Sequence, residues 1–274
     1  MEAATQNTDT TPELRTFVAK VPEVTLVFWI IKILATTLGE TGGDAVTMSW
    51  LGETSGNATP FWVAYGYLVG TGIFAAIFVI AVAFQIKASK FHPFLYWFTI
   101  VATTTVGTTL ADFSTRSLGI GYTGGSVILL ICVIASLVVW RAVTGTVDVA
   151  SVRTPRSEVF YWLTIMFSQT LGTALGDWFA DSADLGYLGA AAVFGGALLV
   201  LALLYYLTSV SRTALFWIAF ILTRPLGAVV GDLLDKPHED GGLELSRLMA
   251  SMVLLAAMIL FILVWPERPA EQTH

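Results

Sequence analysis

The chain has 274 residues, 55% of them hydrophobic and only 12% charged, with a mean hydropathy of +0.75. Soluble domains carry about 25% charged residues, so this composition excludes an ordinary soluble protein and indicates a polytopic α-helical membrane protein. The net charge of −6 and the pI near 5.0 argue against nucleic acid as a partner.

Residues 1–23 are polar and mixed in charge. They lack the basic start, short apolar run and small-residue cleavage site of a removed signal peptide, so the first span is expected to direct its own insertion. Apolar stretches follow at about 24–46, 60–86, 94–113, 122–143, 159–180, 186–209, 214–234 and 246–265. Each meets or approaches the ~20 residues that a helix needs to cross the hydrocarbon core. The expected fold is all-α, with eight transmembrane helices in one membrane domain over 24–266 and a short tail at 267–274. The one cysteine, Cys132, lies in an apolar run without a disulfide partner, and His92, His238 and His274 fall in loops or the tail. Neither a Gly-rich phosphate loop, nor a His-rich metal motif, nor a nucleophile elbow is present. No enzymatic activity and no covalent cofactor are expected.

One pattern occurs four times with unchanged spacing: an aromatic-Trp pair, nine residues, Gly, four residues, Asp. It reads Phe28-Trp29…Gly39…Asp44, Tyr96-Trp97…Gly107…Asp112, Tyr161-Trp162…Gly172…Asp177 and Phe216-Trp217…Gly227…Asp232. The residue before each Asp is small: Gly43, Ala111, Gly176 and Gly231. Carboxylates are costly within a membrane, so four of them in matching positions point to function. The repeats run over about 24–86, 94–143, 159–209 and 214–265, each a two-helix hairpin. An even number of crossings per unit makes the four motif helices parallel, with pseudo-symmetry about the membrane normal. A weaker signature opens the second helix: Gly66-Tyr67, Gly121-Tyr122 and Gly186-Tyr187, with an insertion around 54–59 in the first unit. A ring and a pair of pseudo-symmetric halves both fit this pattern.

Charge sets the orientation. With the N-terminus inside, the inner segments hold nine Lys or Arg (Arg15, Lys20, Lys87, Lys90, Arg141, Arg153, Arg156, Arg212, Arg268) and the outer loops three (Arg116, Lys236, Arg247). This bias places both termini in the cytoplasm. The outer loops are acidic, with Glu53, Asp181, Asp184, Asp235, Glu239, Asp240 and Glu244. Each Asp follows its Trp by fifteen residues, about 22 Å along a helix, which puts the carboxylates toward the outer face.

Counting back in fours from each Asp gives Asp44, Glu40, Thr36, Lys32, then Asp112, Thr108, Thr104, then Asp177, Thr173, Gln169, and finally Asp232, Ala228, Arg224. Residues four apart lie on one helix face, so each motif helix carries a polar stripe. A small-residue stripe runs beside it: Gly39/Gly43, Gly107/Ala111, Gly172/Gly176 and Gly227/Gly231. Such pairs bring helix backbones close in a membrane. Motif helices should therefore pack inside, with polar edges facing a shared centre, while apolar stretches such as 127–139 and 198–207 suit a lipid-facing layer. Structural readings compete at each position. The Trp fit an interfacial belt, the Gly fit packing alone, the Asp fit caps at the outer boundary, and Lys32 fits snorkelling to the inner interface. Arg224, in mid-span beside Pro225, needs a partner, and Glu40 lies at similar depth. A Glu40–Arg224 pair is expected, as is a kink at Pro225.

These residues resemble a family of bacterial membrane proteins described as repeats of unknown function. The resemblance rests on the fourfold signature, with its Thr36-Thr37-Leu38-Gly39-Glu40-Thr41-Gly42-Gly43-Asp44 and Thr223-Arg224-Pro225-Leu226-Gly227 segments, and covers about 24–266. It implies an eight-span protein of the bacterial inner membrane, and it implies no substrate. Ala111 before Asp112 departs conservatively from the Gly-Asp pattern.

The four Asp and Glu40 sum to −5, and Lys32 with Arg224 return +2, leaving −3. Converging carboxylates in low dielectric need a compensating cation. Carboxylate and hydroxyl oxygens suit Mg²⁺, Ca²⁺ or Mn²⁺. The function expected is secondary transport of a divalent metal cation, in the export direction or otherwise. Asp44, Asp112, Asp177, Asp232 and Glu40 would bind it, Thr36, Thr104, Thr108, Thr173 and Gln169 would line the path, and Lys32 and Arg224 would gate or couple. The alternatives are a proton-coupled carrier of a small organic solute and a non-transport sensor or assembly protein. The bilayer is the expected partner, and self-association is left open.

Overall fold

A computed structural model describes residues 19–51, 60–118, 120–183 and 185–270, with the side chains of 60–64 and of Arg116 outside the description. The N-terminal tail before residue 19, Glu53, the insertion at 54–59, Asp184 and the last four residues lie outside the described residues. The eight long helices are α1 (Leu26–Asp44), α2 (Pro60–Lys87), α3 (Pro93–Asp112), α4 (Gly121–Thr144), α5 (Pro155–Asp177), α6 (Gly186–Leu207), α7 (Arg212–Asp235) and α8 (Arg247–Val264). Among the described residues β pairing is limited to one bridge, Pro22 with Pro269.

Local chemistry sets the helix starts. Thr25, Ser211 and Ser246 accept hydrogen bonds from first-turn amides of α1, α7 and α8. Pro93 and Pro155 open α3 and α5, where their missing N–H costs nothing, and Thr154 with Ser157 closes a capping box. The Gly-Tyr signature proves to be the start of an outer helix: Gly121 and Gly186 open α4 and α6 with φ of +74° and +63°, which glycine alone adopts without strain. α7 runs as one helix through Pro225.

The motif helices α1, α3, α5 and α7 pack in a closed ring, each against the next and α7 back against α1. The outer helices are displaced by one unit: α2 lies on α3, α4 on α5, α6 on α7 and α8 on α1. The expected two-helix hairpin is thus corrected. The helices of one repeat share a loop, but the main packing of each outer helix is on the motif helix of the following repeat.

The apolar surface follows this division. In the most apolar windows of α1, α3 and α7, 61%, 72% and 61% of residues are buried, against 22%, 17%, 11% and 17% in α2, α4, α6 and α8. The outer helices bare residues such as Val79, Ile131, Leu199 and Met252. Among the described residues, seven helices are long and apolar enough to cross a membrane, which makes this a multi-pass membrane protein. α5 falls short because it carries Glu158, Thr164, Ser168, Gln169, Thr170 and Thr173, all buried against protein rather than lipid.

Both described ends of the chain meet at one end of the bundle. Glu23 N–H donates to Arg268 at 2.8 Å and Ala270 N–H to Val21 at 2.9 Å. Lys20 pairs with Glu158 at 2.7 Å, and the Trp97 indole donates to Glu267 at 2.6 Å.

Candidate functional site

The ring repeats the same contact four times. Phe28 packs on Trp97 with ring centroids 5.4 Å apart, Tyr96 on Trp162 at 5.8 Å, Tyr161 on Trp217 at 6.2 Å, and Phe216 on Trp29 at 5.8 Å, closing the circle. The motif Trp therefore belong to an aromatic floor inside the ring. Trp97, Trp162 and Trp217 are buried and Trp29 is half-buried, which corrects the interfacial-belt reading.

Above the floor each motif Gly meets the residue three before the next motif Gly. Gly39 lies against Thr104, Gly107 against Gln169, Gly172 against Arg224, and Gly227 against Thr36. One turn further, Gly43 meets Thr108, Gly176 meets Ala228, and Gly231 meets Glu40. Contacts advancing in the same direction on both helices make the neighbours parallel. The polar stripes consequently stack as layers: Lys32, Ile100, Ile165 and Phe220; then Thr36, Thr104, Gln169 and Arg224; then Glu40, Thr108, Thr173 and Ala228; then the four Asp. Every one of these side chains is buried. The threonines are accommodated by donating to carbonyls of the preceding turn, as Thr36 does to Lys32 at 3.0 Å and Thr108 to Thr104 at 3.1 Å. Thr104 also reaches the Ala35 carbonyl across the glycine contact at 3.3 Å.

The expected Glu40–Arg224 pair is present. Arg224 Nη2 lies 2.7 Å from Glu40 Oε2, 2.6 Å from Thr108 Oγ1 and 2.5 Å from Thr173 Oγ1, so its two hydrogens are shared among three oxygens. One nitrogen from α7 thus touches side chains of α1, α3 and α5, which places it at the axis of the ring. Lys32 does not snorkel: its side chain is fully buried, with Nζ 4.2 Å from the centroid of the Phe220 ring.

At the Asp layer, Glu40, Asp44 and Asp232 each offer an oxygen within 4.8 Å of the others. Lys236, just past the end of α7, inserts its ammonium here. It pairs closely with Asp44, lies 3.0 Å from Asp232 and 3.9 Å from Asp235. Burial works against the charge of Lys236, but Asp232, Asp44 and Asp235 hold its pKa well above the ordinary lysine value. Arg247 of α8 adds a second cation 3.5 Å from Asp235. Asp44 Oδ1 has no hydrogen-bond partner. Asp112 is buried and acts electrostatically on Glu40, and Asp177 is buried on α5. Two of the four motif Asp, with Glu40, make the close cluster; Asp112 and Asp177 occupy the same layer on the other two helices.

After Asp44, Asp112 and Asp177 the chain continues as a wider π-helical turn, at Ala45–Trp50, Phe113–Ser117 and Trp178–Ser182, and α7 alone lacks one. Such turns are rare and concentrate at functional sites. Sequence reasoning missed both these turns and Lys236. A lysine four residues after the fourth Asp was the available signal for the latter.

Fold and site together define a multi-pass membrane protein built from four internal repeats around a buried, charged axis. The chain belongs to the family described as Repeat of Unknown Function (DUF347), which matches it four times, over residues 27–91, 95–146, 160–211 and 215–268. No curated protein and no solved structure matches it.

Proposed function

We propose that the protein is a secondary transporter of divalent metal cations, resident in a bacterial inner membrane with both termini in the cytoplasm. All eight helices cross the bilayer, and α5 is carried through by the ring around it. The observation that carries the reading is the buried cluster of Glu40, Asp44 and Asp232 with its oxygens within 4.8 Å. Three carboxylates with nearby hydroxyls are a hard-oxygen donor set, matched to Mg²⁺, Ca²⁺ or Mn²⁺.

Lys236 fills the role of a tethered cation in this state. Its single charge lies between Asp44 and Asp232, where a free cation would sit, and its position in a loop lets it withdraw when that cation arrives. Exchange of one cation for the other keeps the low-dielectric core near charge balance. Beneath the cluster, Arg224 tied to three other helices closes the axis, so passage requires the Arg224–Glu40 pair to open. Glu40 and the Asp layer are suited to taking up protons as the metal leaves, which couples flux to a proton gradient.

The test is flux in proteoliposomes, with Mn²⁺, Mg²⁺, Ca²⁺, Zn²⁺, Co²⁺ and Ni²⁺ supplied singly and internal pH recorded. Wild-type protein is expected to move at least one of these ions, and folded Asp44→Asn and Asp232→Asn proteins to lose most of that flux. Wild-type flux of none of them, or equal flux in both variants, overturns the reading.

A further inference from the structure

A second set of charged and polar groups lies on the other side of Arg224 from the carboxylates. Lys32 is fully buried, and its ammonium has no hydrogen-bond partner. Burial and the like charge of Arg224 both act on it. Arg224 commits Nη2 to Glu40, Thr108 and Thr173 and leaves Nε and Nη1 without acceptors. Gln169 occupies the same layer as Arg224 on the adjoining helix, and neither its amide nitrogen nor its amide oxygen has a partner. The Ser168 and Thr164 hydroxyls on that helix are also unpartnered.

Buried polar groups are nearly always satisfied, and a run of orphans in one place calls for an explanation. Lys32 is the sharpest case, because an ammonium held there without a counter-charge would be among the costliest arrangements in a protein. Glu40 already balances Arg224, so one further negative charge is what a protonated Lys32 would need beside it. The free groups are chiefly N–H donors: an ammonium, two guanidinium nitrogens and a carboxamide. Donors of that kind recognise oxygen atoms carrying negative charge.

We propose that Lys32, Arg224 and Gln169 form a binding site for a small monovalent oxyanion, a carboxylate or an inorganic anion of similar size, at the centre of the ring. The site lies on the other side of Arg224 from the carboxylate cluster, touches it through the Arg224–Glu40 pair, and needs no cation bound there. A bound anion neutralises Lys32, satisfies the free donors and ties α1, α5 and α7 together, so its occupancy stabilises the ring.

The experiment uses the full chain purified in detergent in a zwitterionic buffer. Melting temperature is measured against choline salts of acetate, nitrate and chloride. Acetate or nitrate is expected to give a saturable rise of about 2–4 °C, with acetate against nitrate separating an organic from an inorganic anion. Lys32→Gln should abolish the rise, Lys32→Arg should keep it, and Gln169→Leu should weaken the half-saturating concentration by about tenfold, as loss of a hydrogen bond to a charged group does. Asp44→Asn should respond like wild type, so failure of the cation reading leaves this result untouched. No saturable rise in wild type, a rise equal to that in chloride, or an unchanged response in Gln169→Leu would each overturn the proposal. The Gln169→Leu arm decides the matter even if Lys32→Gln does not fold.

Discussion

The closest helix contacts in the ring are at glycine, and adding one methyl group there has a calculable consequence. A Cβ on Gly39 would lie 2.5 Å from Thr104 Cβ and 3.2 Å from the Thr104 carbonyl carbon. On Gly227 it would lie 2.5 Å from Thr36 Cβ and 3.0 Å from the Thr36 carbonyl carbon, and on Gly172 2.5 Å from Arg224 Cβ and 3.0 Å from Pro225 Cδ. Carbon atoms rest at about 3.5–4.0 Å, and these obstructing atoms are backbone, Cβ or the fixed proline ring, which no rotamer change removes. The helices must part by about 1 Å. Overpacking of this kind costs typically about 1–3 kcal/mol, against which alanine returns up to about 1 kcal/mol of helix propensity. Gly39→Ala, Gly172→Ala and Gly227→Ala should each therefore lose up to roughly 2 kcal/mol on balance. Gly72, Gly195 and Gly196 have open space at the same position, so alanine there should be neutral or stabilising. Thermal unfolding in detergent, followed by circular dichroism, reads the difference. Ring alanines as stable as Gly72→Ala would refute the closed ring itself.

Three further outcomes are expected. Removing one member of the Glu40–Arg224 pair strands a buried charge, so Glu40→Leu or Arg224→Leu should each cost about 3–5 kcal/mol, while the double variant recovers most of that loss; additive losses in the denaturation cycle would contradict the pair. Glu267 is pushed up to about 7 by burial, against the pull of its Trp97 hydrogen bond. A carboxyl raised in the folded state contributes stability that is full below its ordinary pKa of about 4.5 and is lost as pH rises through about 7. Melting curves from pH 5 to 8 should show this decline in wild type and less of it in Glu267→Gln. Finally, Lys236→Met removes the ammonium between Asp44 and Asp232, so the variant should be less stable in divalent-free buffer and gain more from added Mn²⁺ or Ca²⁺ than wild type does; no divalent response would remove Lys236 from the role of surrogate cation.

Much of this architecture is legible in the sequence because the four repeats keep one register. Unchanged spacing from Trp to Gly to Asp requires equivalent helices, and a polar stripe beside a glycine stripe requires an interior position, so the inner and outer layers follow. The Glu40–Arg224 pair was legible for a different reason: a mid-span arginine has few partners at its depth. What the sequence hid is pairing between units. Nothing in one repeat records that α2 rests on α3 rather than on α1, because both grooves accept an apolar helix. The Trp misled because a belt and a buried floor have the same composition; the distinction is the Phe28–Trp97 type of contact, which belongs to the next repeat. In the sequence Lys236 is a loop charge, because a lysine past a helix end carries no sign of turning inward until Asp44 of another helix is known to be there.

Symmetry in this protein sets where groups stand, and departures from it set what they do. In a strictly fourfold ring each layer would hold four identical side chains, and any charged layer would repel itself across the axis. The aromatic floor keeps the symmetry because Phe28, Tyr96, Tyr161 and Phe216 lose nothing by it. Two turns above, Thr36, Thr104, Gln169 and Arg224 have diverged so that only one cation stands at that height, and in the next layer Glu40 supplies the single anion that answers it. The fourth repeat has moved furthest. It gives Arg224, leaves the small Ala228 one turn above it, ends without a π turn, and sends Lys236 back to the Asp layer. The repeats therefore share a scaffold from which individual positions depart, Lys32 and Glu40 in the first and Arg224 and Lys236 in the fourth, and these departures fall at the heights where charge must be balanced.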